Sequence, residues 1–142
     1  DASMVSRSQP PMHDLDPCAV VRALRSARVG VDAAFAGTRD AATALAAAAA
    51  TLETAIAAHG EHPQLLTGLG TVVCDSGEHG RARALLEQAL ALGSQDRHTV
   101  FNLGVALFNT GCSAQAKAAF TRAGRMTASP ETWEAWFDPL AH

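Results

Sequence analysis

Apolar and small residues recur along the middle of this chain with a period of 34 positions, the interval between Leu66 and Val100 (100 − 66 = 34). Each pair of positions keeps its character: apolar on apolar, glycine on glycine, alanine on alanine. The first copy carries Leu66, Leu69, Gly70, Val73, Gly77, Ala82, Leu86, Ala89 and Leu92, and the second carries Val100, Leu103, Gly104, Leu107, Gly111, Ala116, Phe120, Ala123 and Met126. Alanine-rich stretches can match by chance, but the glycine pairs and larger apolar pairs argue against chance. A fixed period of this length predicts a repeat architecture.

Within each copy the apolar residues follow the helical spacing i, i+3, i+4, i+7, which predicts two amphipathic helices per repeat. The predicted helices cover 64–76 and 79–92 in the first copy, and 97–110 and 113–127 in the second. Gly70 and Gly104 fall inside helices, where glycine costs about 1 kcal/mol relative to alanine. We therefore expect a neighbouring helix to approach closely at both glycines.

Two more helices are predicted before the repeats. Asp16 and Pro17 are the residue types preferred at the N-cap and the first helical position, and the helix that they begin should end near Gly37. A second helix is predicted from about 40 to 59. Together they form a helical hairpin at 16–62, which is either a degenerate first repeat or an N-terminal cap.

Ser129 and Pro130 predict the start of a last helix by the same capping preferences. Its aromatic residues are Trp133, Trp136 and Phe137. A repeat array needs a terminal unit to cover its last open apolar face, so we predict a capping helix and tail at 131–142. The alternative is that one of the tryptophans is exposed as an anchor for a partner.

The repeat resembles that of the tetratricopeptide repeat (TPR) family, whose motif runs Trp-x-x-Leu-Gly-x-x-Tyr, then Ala-x-x-x-Phe and a closing Pro. The first copy reads Leu66-x-x-Leu69-Gly70-x-x-Val73 and Ala82-x-x-x-Leu86, and the second reads Val100-x-x-Leu103-Gly104-x-x-Leu107 and Ala116-x-x-x-Phe120. The chain departs from the motif because aliphatic residues replace the Trp and Tyr, no Pro closes the first copy, and Pro130 comes late. The resemblance implies an all-α fold, a right-handed α-solenoid of antiparallel helix pairs, with TPR repeats at 63–96 and 97–130.

Composition argues against several kinds of partner. The net charge is only −3 and no block of like charges occurs, so we expect no nucleic-acid partner. The apolar stretch 41–58 is built from alanine and interrupted by polar residues, which favours a packed helix and no membrane partner. The cysteines are odd in number and lack a Cys-x-x-Cys pair, which favours reduced thiols in a cytoplasmic protein. Residues 1–15 are expected to form a disordered tail, part of which could be left over from expression.

No set of residues predicts catalysis or a bound cofactor. His59 and His62 lie three positions apart around a predicted loop and lack a third ligand, so we expect no metal site. Cys74 and Cys112 would need a depressed pKa to act as nucleophiles, and no basic neighbour is evident. The sequence has no recognisable phosphate-binding loop, Ser-His-Asp order or HExxH motif. We therefore expect a protein that is not an enzyme.

In the TPR family the first helix of each repeat lines a concave groove, and the resemblance implies the same here. The predicted partner-binding residues are Thr67, Thr71, Cys74, His98, Phe101, Asn102, Val105, Phe108 and Asn109, and Gln64, Gly68 and Asp75 lie on the same face. Phe101, Val105 and Phe108 form a second apolar stripe beside the core stripe of their helix. A helix that is apolar nearly all round is buried on both sides or carries a binding surface.

We therefore expect an apolar groove that takes a hydrophobic segment of a partner, with Asn102 and Asn109 bonding its backbone. The alternative is that the chain's own N-terminal helices, its C-terminal helix or a second subunit fills the groove. The predicted face has no Lys or Arg, which argues against the family members that hold the acidic C-termini of chaperones.

The expected function is a non-catalytic protein–protein interaction module, an adaptor or chaperone that binds a partner peptide or helix. The alternative is a structural self-assembly module, a homo-oligomer whose groove is filled by its own helices or another subunit. The chain also looks like the type III secretion chaperones, which are short and have an N-terminal helix and about three such repeats. Its alanine-rich, lysine-poor composition suggests a bacterial protein.

Overall fold

The computed structural model describes residues 17–38 and 40–137. Over that part of the chain it contains six α-helices and no strand, so the prediction of an all-helical protein is confirmed. The helices are α1 (Pro17–Ala36), α2 (Ala41–His59), α3 (Pro63–Asp75), α4 (His79–Ala91), α5 (Arg97–Asn109) and α6 (Ser113–Ala123). The tail predicted at 1–15 and the last residues, 138–142, lie outside the described residues.

Local capping explains where several helices begin. The Asp40 carboxylate accepts a hydrogen bond from the Thr43 backbone N–H at 3.0 Å, and Asp96 does the same for the His98 N–H at 3.0 Å. Each carboxylate satisfies an N–H that has no partner inside the helix. Pro63 occupies the first turn of α3, where its fixed φ suits a helix and its missing N–H costs nothing.

The period of the sequence reappears in the helices. Helices α3 and α5 both have 13 residues and start 34 positions apart (97 − 63 = 34), and α4 and α6 start at the same interval (113 − 79 = 34). Gly77 and Gly111 follow the first helix of each pair, with φ of 89° and 86°. Only glycine adopts such values without strain, which explains why glycine occurs at both positions.

The glycines inside α3 and α5 mark close helix crossings. A Cβ atom placed on Gly70 would lie 2.8 Å from Leu86 Cγ in α4, and one on Gly104 would lie 2.7 Å from Phe120 Cε1 in α6. Both distances are well inside ordinary van der Waals contact. The unfavourable helix propensity of glycine is therefore offset by close packing within each pair.

Consecutive helices pack against each other, and α3 also contacts both α1 and α5. These three helices therefore lie side by side. Gly68 explains part of this arrangement, because a Cβ there would lie 2.7 Å from Leu24 Cδ2 of α1. The sequence placed Gly68 on the open face, and the structure instead buries it against α1 and α2. The main apolar cluster extends from α1 to α5 and includes Trp133 and Ala135.

Helix α2 is, among the described residues, long and apolar enough to cross a membrane by length and composition. Only 28% of its most apolar stretch is buried inside the protein. The buried side includes Ala44, Ala48 and Leu52, which belong to the main apolar cluster. The remaining side is largely alanine, so the hydropathy reflects small residues rather than large exposed ones.

The predicted capping helix is wrong over the residues that the structure describes. Residues 132–137 have no helical structure. The carboxylate of Asp96, the N-cap of α5, accepts hydrogen bonds from the Ser129 N–H at 2.9 Å and the Thr132 hydroxyl at 2.5 Å. These bonds hold residues 129–132 against the start of α5. A single helical turn gains little by itself. Bonds to α3 and α5 therefore replace the bonds that a helix would have made.

Helix α6 is also shorter than predicted and ends at Ala123 instead of 127. The N–H groups of Arg125 and Met126 bond to carbonyls three residues earlier, which tightens the chain into a turn. The Thr127 carbonyl oxygen accepts from the Arg97 N–H at 3.0 Å. The chain is thereby turned back towards the start of α5.

Candidate functional site

A stretch of chain without helical structure lies across the row formed by α1, α3 and α5. We call residues 129–137 the C-terminal segment, and the surface of α1, α3 and α5 that contacts it the groove. Polar groups of all three helices form hydrogen bonds with the segment. The apolar side chains of the segment pack against the groove at positions between these bonds. Residues 130–131 form a turn in which the Glu131 N–H bonds to the Ser129 hydroxyl. Residues 132–137 have no helical structure, so their backbone N–H and C=O groups need partners elsewhere.

Asn102 of α5 supplies two of those partners. Its side chain is fully buried, and its Oδ1 accepts from the Ala135 N–H at 2.8 Å. Its Nδ2 donates to the Trp133 carbonyl oxygen at 2.9 Å and to the Thr71 hydroxyl at 2.8 Å. One side chain thus pairs with the backbone on both sides of residue 134, as a neighbouring strand would. Such contacts hold a peptide backbone whatever its side chains are.

A polar cluster holds the start of the segment. Asp96 Oδ2 accepts from the Thr132 hydroxyl, and His98 Nδ1 lies 2.8 Å from the same hydroxyl oxygen. Gln64 of α3 donates to the Ser129 hydroxyl at 2.8 Å. Burial lowers the pKa of His98 below its usual value, and the Asp96 carboxylate opposes this effect. A neutral His98 with its proton on Nδ1 donates to Thr132 and completes the cluster.

Asp75, the last residue of α3, holds the other end. Its Oδ1 accepts from the Trp136 backbone N–H at 2.9 Å. Its Oδ2 is buried and has no hydrogen-bond partner among the described residues. Burial raises the pKa of the Asp75 carboxyl from 3.8 to about 7, and the bond from Trp136 opposes the increase. A buried oxygen without a partner favours the protonated carboxyl, which explains the direction.

Phenylalanine rings close the groove at the end of the segment. Phe137 packs edge-on against Phe108 of α5 and also against Phe120 of α6, with ring centroids 5.3 Å apart in each pair. Phe101 lies 5.2 Å from Phe120. An apolar pocket of about 340 Å³ opens beside these rings, and Lys117 also lines it.

Helix α1 covers the opposite edge of the segment. The Arg28 guanidinium lies 5.7 Å from the centre of the Trp133 ring, and Arg25 pairs with Glu131 at 3.3 Å. A wider pocket of about 570 Å³ lies beside this edge. Trp133 is only 6% exposed, whereas Trp136 is 58% exposed, so the two tryptophans have different surroundings.

The structure brings part of the predicted set to the C-terminal segment. Asn102 and His98 bond to it, Phe108 packs against it, and Thr71 is bonded to Asn102. Asn102 was predicted to bind a peptide backbone, and the backbone that it binds here belongs to the chain itself.

The other predicted residues do not contact the segment through any of these bonds. Thr67 is buried and lies 2.7 Å from the Thr99 hydroxyl, and Val105 is buried in the core. Asn109 donates to the Val105 carbonyl oxygen at 2.8 Å, within its own helix. Phe101 is half-buried against Phe120.

Cys74 is buried within hydrogen-bond distance of a ring nitrogen of His79, at 3.5 Å, and burial raises the pKa of its thiol to about 12. A thiol with so high a pKa is protonated at neutral pH and a poor nucleophile. Across 17–38 and 40–137, no group of three His, Cys, Asp or Glu side chains is placed to hold a metal ion.

The sequence did not predict that three side chains of the groove form hydrogen bonds with the C-terminal segment. Asp96 has the pattern of an ordinary N-cap, and nothing in it shows that it also binds residues 129 and 132. Asp75 and Gln64 were placed on the correct face but without a role. The alternation of Trp133, Ala135 and Phe137 fits an extended chain, and this was the available signal against a helix.

Comparison with protein-family models, with curated proteins and with solved structures gives no match to this chain.

Proposed function

We propose that this chain is a non-catalytic protein–protein interaction module, an adaptor or chaperone, whose groove binds an extended peptide segment of a partner. The observation that carries the proposal is the pairing of Asn102 with the Trp133 carbonyl and the Ala135 N–H. The partner's segment would take the place of the C-terminal segment. An extended ligand suits this geometry better than the helix that was the other expectation, because a helix has few free backbone groups.

The finer architecture is part of the same proposal. We infer that α3–α4 and α5–α6 are two TPR-like repeats of a right-handed solenoid, with α1–α2 as a preceding hairpin. The equal spacing of the helix starts and the matching contacts of Gly70 and Gly104 favour it. In such an array α1, α3 and α5 line the concave side, where TPR proteins bind peptides.

The contacts of the C-terminal segment favour exchange with a ligand. The segment is held by single side chains of Gln64, Asp75, Asp96 and Asn102 rather than by a continuous ladder. The bonds of Gln64 and Asn102 are neutral and contribute about 1 kcal/mol each, whereas a bond to a charged carboxylate contributes about 1.5–3 kcal/mol. A partner peptide that made the same bonds and buried similar side chains could therefore displace it.

The test is a pull-down from native cells with two full-chain baits. The first is Ala135→Arg, because Ala135 is buried against the groove and an arginine there should release the segment. The matched control is the double variant Ala135→Arg, Asn102→Leu, which also loses the backbone contacts of the groove. Circular dichroism establishes that both are folded.

The proposal expects a protein captured by the first bait and lost from the second, with a photo-crosslink from position 71 to an extended segment of that protein. Equal capture by both folded baits, or no capture by either, would contradict it.

A second candidate function is self-assembly, in which the C-terminal segment of one copy lies in the groove of another. Every copy carries both the groove and its occupant, and residues 124–128 form a short connection that could open. Light scattering over a concentration series separates the two. A mass that doubles with concentration, and that Asn102→Leu abolishes, favours self-assembly over binding of a different protein.

A further inference from the structure

The C-terminal segment shows which side chains the groove accepts, not only which backbone groups. Its side chains alternate over the last residues: Trp133, Ala135 and Phe137 face the protein, whereas Glu134 and Trp136 are exposed. This period of two is that of an extended chain. Three positions are therefore selected by contact with the groove, and the two between them are free to vary.

The position of Trp133 requires a large flat side chain. The ring is buried under Arg28, at 5.7 Å from the guanidinium carbon, an arrangement that attracts a cation to an aromatic face. The indole Nε1 is buried without a hydrogen-bond partner among the described residues. Phenylalanine, which has no such donor, should therefore be accepted here as well as tryptophan.

The position of Ala135 admits only a small side chain. Ala135 is 4% exposed, belongs to the main apolar cluster, and its N–H is fixed by Asn102. A longer side chain would have to displace either the helices or the backbone bond. The position of Phe137 again favours an aromatic ring, because the rings of Phe108 and Phe120 flank it at 5.3 Å.

The position of Thr132 requires a hydroxyl group. The Thr132 hydroxyl donates a hydrogen bond to the Asp96 carboxylate, and its oxygen lies 2.8 Å from His98 Nδ1. One hydroxyl group is thus hydrogen-bonded to two different side chains. Serine and threonine satisfy both, since each hydroxyl is a donor and an acceptor. Valine, of similar shape, would leave the half-buried Asp96 carboxylate and His98 ring without this hydroxyl partner.

Resting on the proposed function, we infer that the partner carries an extended segment of the pattern Ser/Thr-aromatic-x-Ala/Gly-x-aromatic. The groove recognises this pattern in trans with the contacts that the C-terminal segment makes in cis. The C-terminal segment therefore competes with the partner for the groove. Because it belongs to the same chain, it sets the minimum affinity that a partner needs in order to displace it.

The test uses the synthetic peptide Ser-Pro-Glu-Thr-Trp-Glu-Ala-Trp-Phe, which copies 129–137, with a fluorophore at its N-terminus. Fluorescence anisotropy measures its binding to full-chain Ala135→Arg and to the wild type. We expect saturable binding to the variant, with a Kd lower by about tenfold or more, because the wild-type segment competes at a high effective concentration. Addition of Asn102→Leu to the variant should abolish the binding.

Control peptides test the pattern itself. Replacement of the first Trp by Phe should preserve binding. Replacement of the Ala by Arg, or of the Thr by Val, should weaken it by about tenfold or more, since each change costs at least one buried contact. A peptide with the two exposed residues changed to Gln should bind as the original does.

If Ala135→Arg does not fold, hydrogen exchange of the wild-type chain tests the same inference. Millimolar unlabelled peptide should accelerate hydrogen exchange at the Ala135 and Trp136 amides of the protein, and the Ala-to-Arg peptide should not. The inference is overturned if the folded variant does not bind the peptide and amide hydrogen exchange in the wild type does not change. Equal binding of the control peptides also overturns it. A partner captured through the groove by a segment without the pattern would leave the proposed function intact and remove this inference alone.

Discussion

Replacement of Asn102 by leucine removes three buried hydrogen bonds at nearly constant side-chain volume. The groups that lose their partner are the Ala135 N–H and the Trp133 carbonyl, whereas the Thr71 hydroxyl keeps its bond to the Thr67 carbonyl. A buried polar group without a partner costs about 1–3 kcal/mol, so keeping the C-terminal segment in place would cost roughly 2–6 kcal/mol.

If the segment leaves the groove, this cost is avoided, because its backbone N–H and C=O groups then form hydrogen bonds with water. The main loss on release is the burial of Trp133, and large-to-small changes at a buried tryptophan cost about 3–5 kcal/mol. We therefore expect Asn102→Leu to lower the free energy of unfolding by about 3 kcal/mol, which for a domain of this size is a decrease in Tm of about 6–12 °C.

Two assays check this expectation. Differential scanning calorimetry gives the change in Tm, and hydrogen exchange shows whether the Ala135 and Trp136 amides lose protection while the helices keep theirs. Asn109→Leu is the matched control, since among the described residues the Asn109 side chain bonds to the Val105 carbonyl of its own helix, and its replacement should cost about 1 kcal/mol or less. If Asn102→Leu melts like Asn109→Leu, or the Ala135 amide exchanges as in the wild type, the reasoning fails.

Three further predictions concern stability. Trp133→Ala should lower the free energy of unfolding by about 3–5 kcal/mol, whereas Trp136→Ala should change it by less than about 0.5 kcal/mol, as paired thermal melts will show; a larger effect of Trp136 would contradict the burial of the two rings. Gly70→Ala should destabilise by about 1–3 kcal/mol through contact with Leu86, while Gly80→Ala, with open space around it, should stabilise by about 0.5–1 kcal/mol in urea titrations. Because the pKa of Asp75 is raised to about 7, the folded chain holds a proton that the unfolded chain releases near pH 4, so stability should fall from about pH 4 to about pH 7, and Asp75→Asn should remove that slope.

The sequence was informative about the helices because their causes are local. The i, i+3, i+4, i+7 spacing of the apolar residues, the caps at Asp40 and Pro63, and the glycines at 77 and 111 all act over one or two turns. They predicted element type and most boundaries. The close approach expected at Gly70 is found at Leu86, a contact within the same repeat.

The occupant of the groove was harder to predict because its causes are distant along the chain. Asp96 reaches Thr132 across 36 positions, Asn102 reaches Ala135 across 33, and Asp75 reaches Trp136 across 61. Local preferences at Ser129 and Pro130 favour a helix, and these remote bonds together with the burial of Trp133 and Ala135 reverse the outcome. Asn102 and Asn109 were both predicted to bond the backbone of a partner; that Asn102 bonds the chain's own segment, and Asn109 its own helix, required the structure.

The central claim is that Asn102 holds the chain's own segment as a replaceable ligand. The most direct measurement is the nuclear Overhauser contact between the Asn102 side-chain amide protons and the Ala135 amide proton in isotope-labelled full-length protein, before and after addition of unlabelled 129–137 peptide. The account predicts a contact within one molecule that weakens as the peptide is added. Absence of the contact in the free protein, or a contact unaffected by saturating peptide, would contradict it.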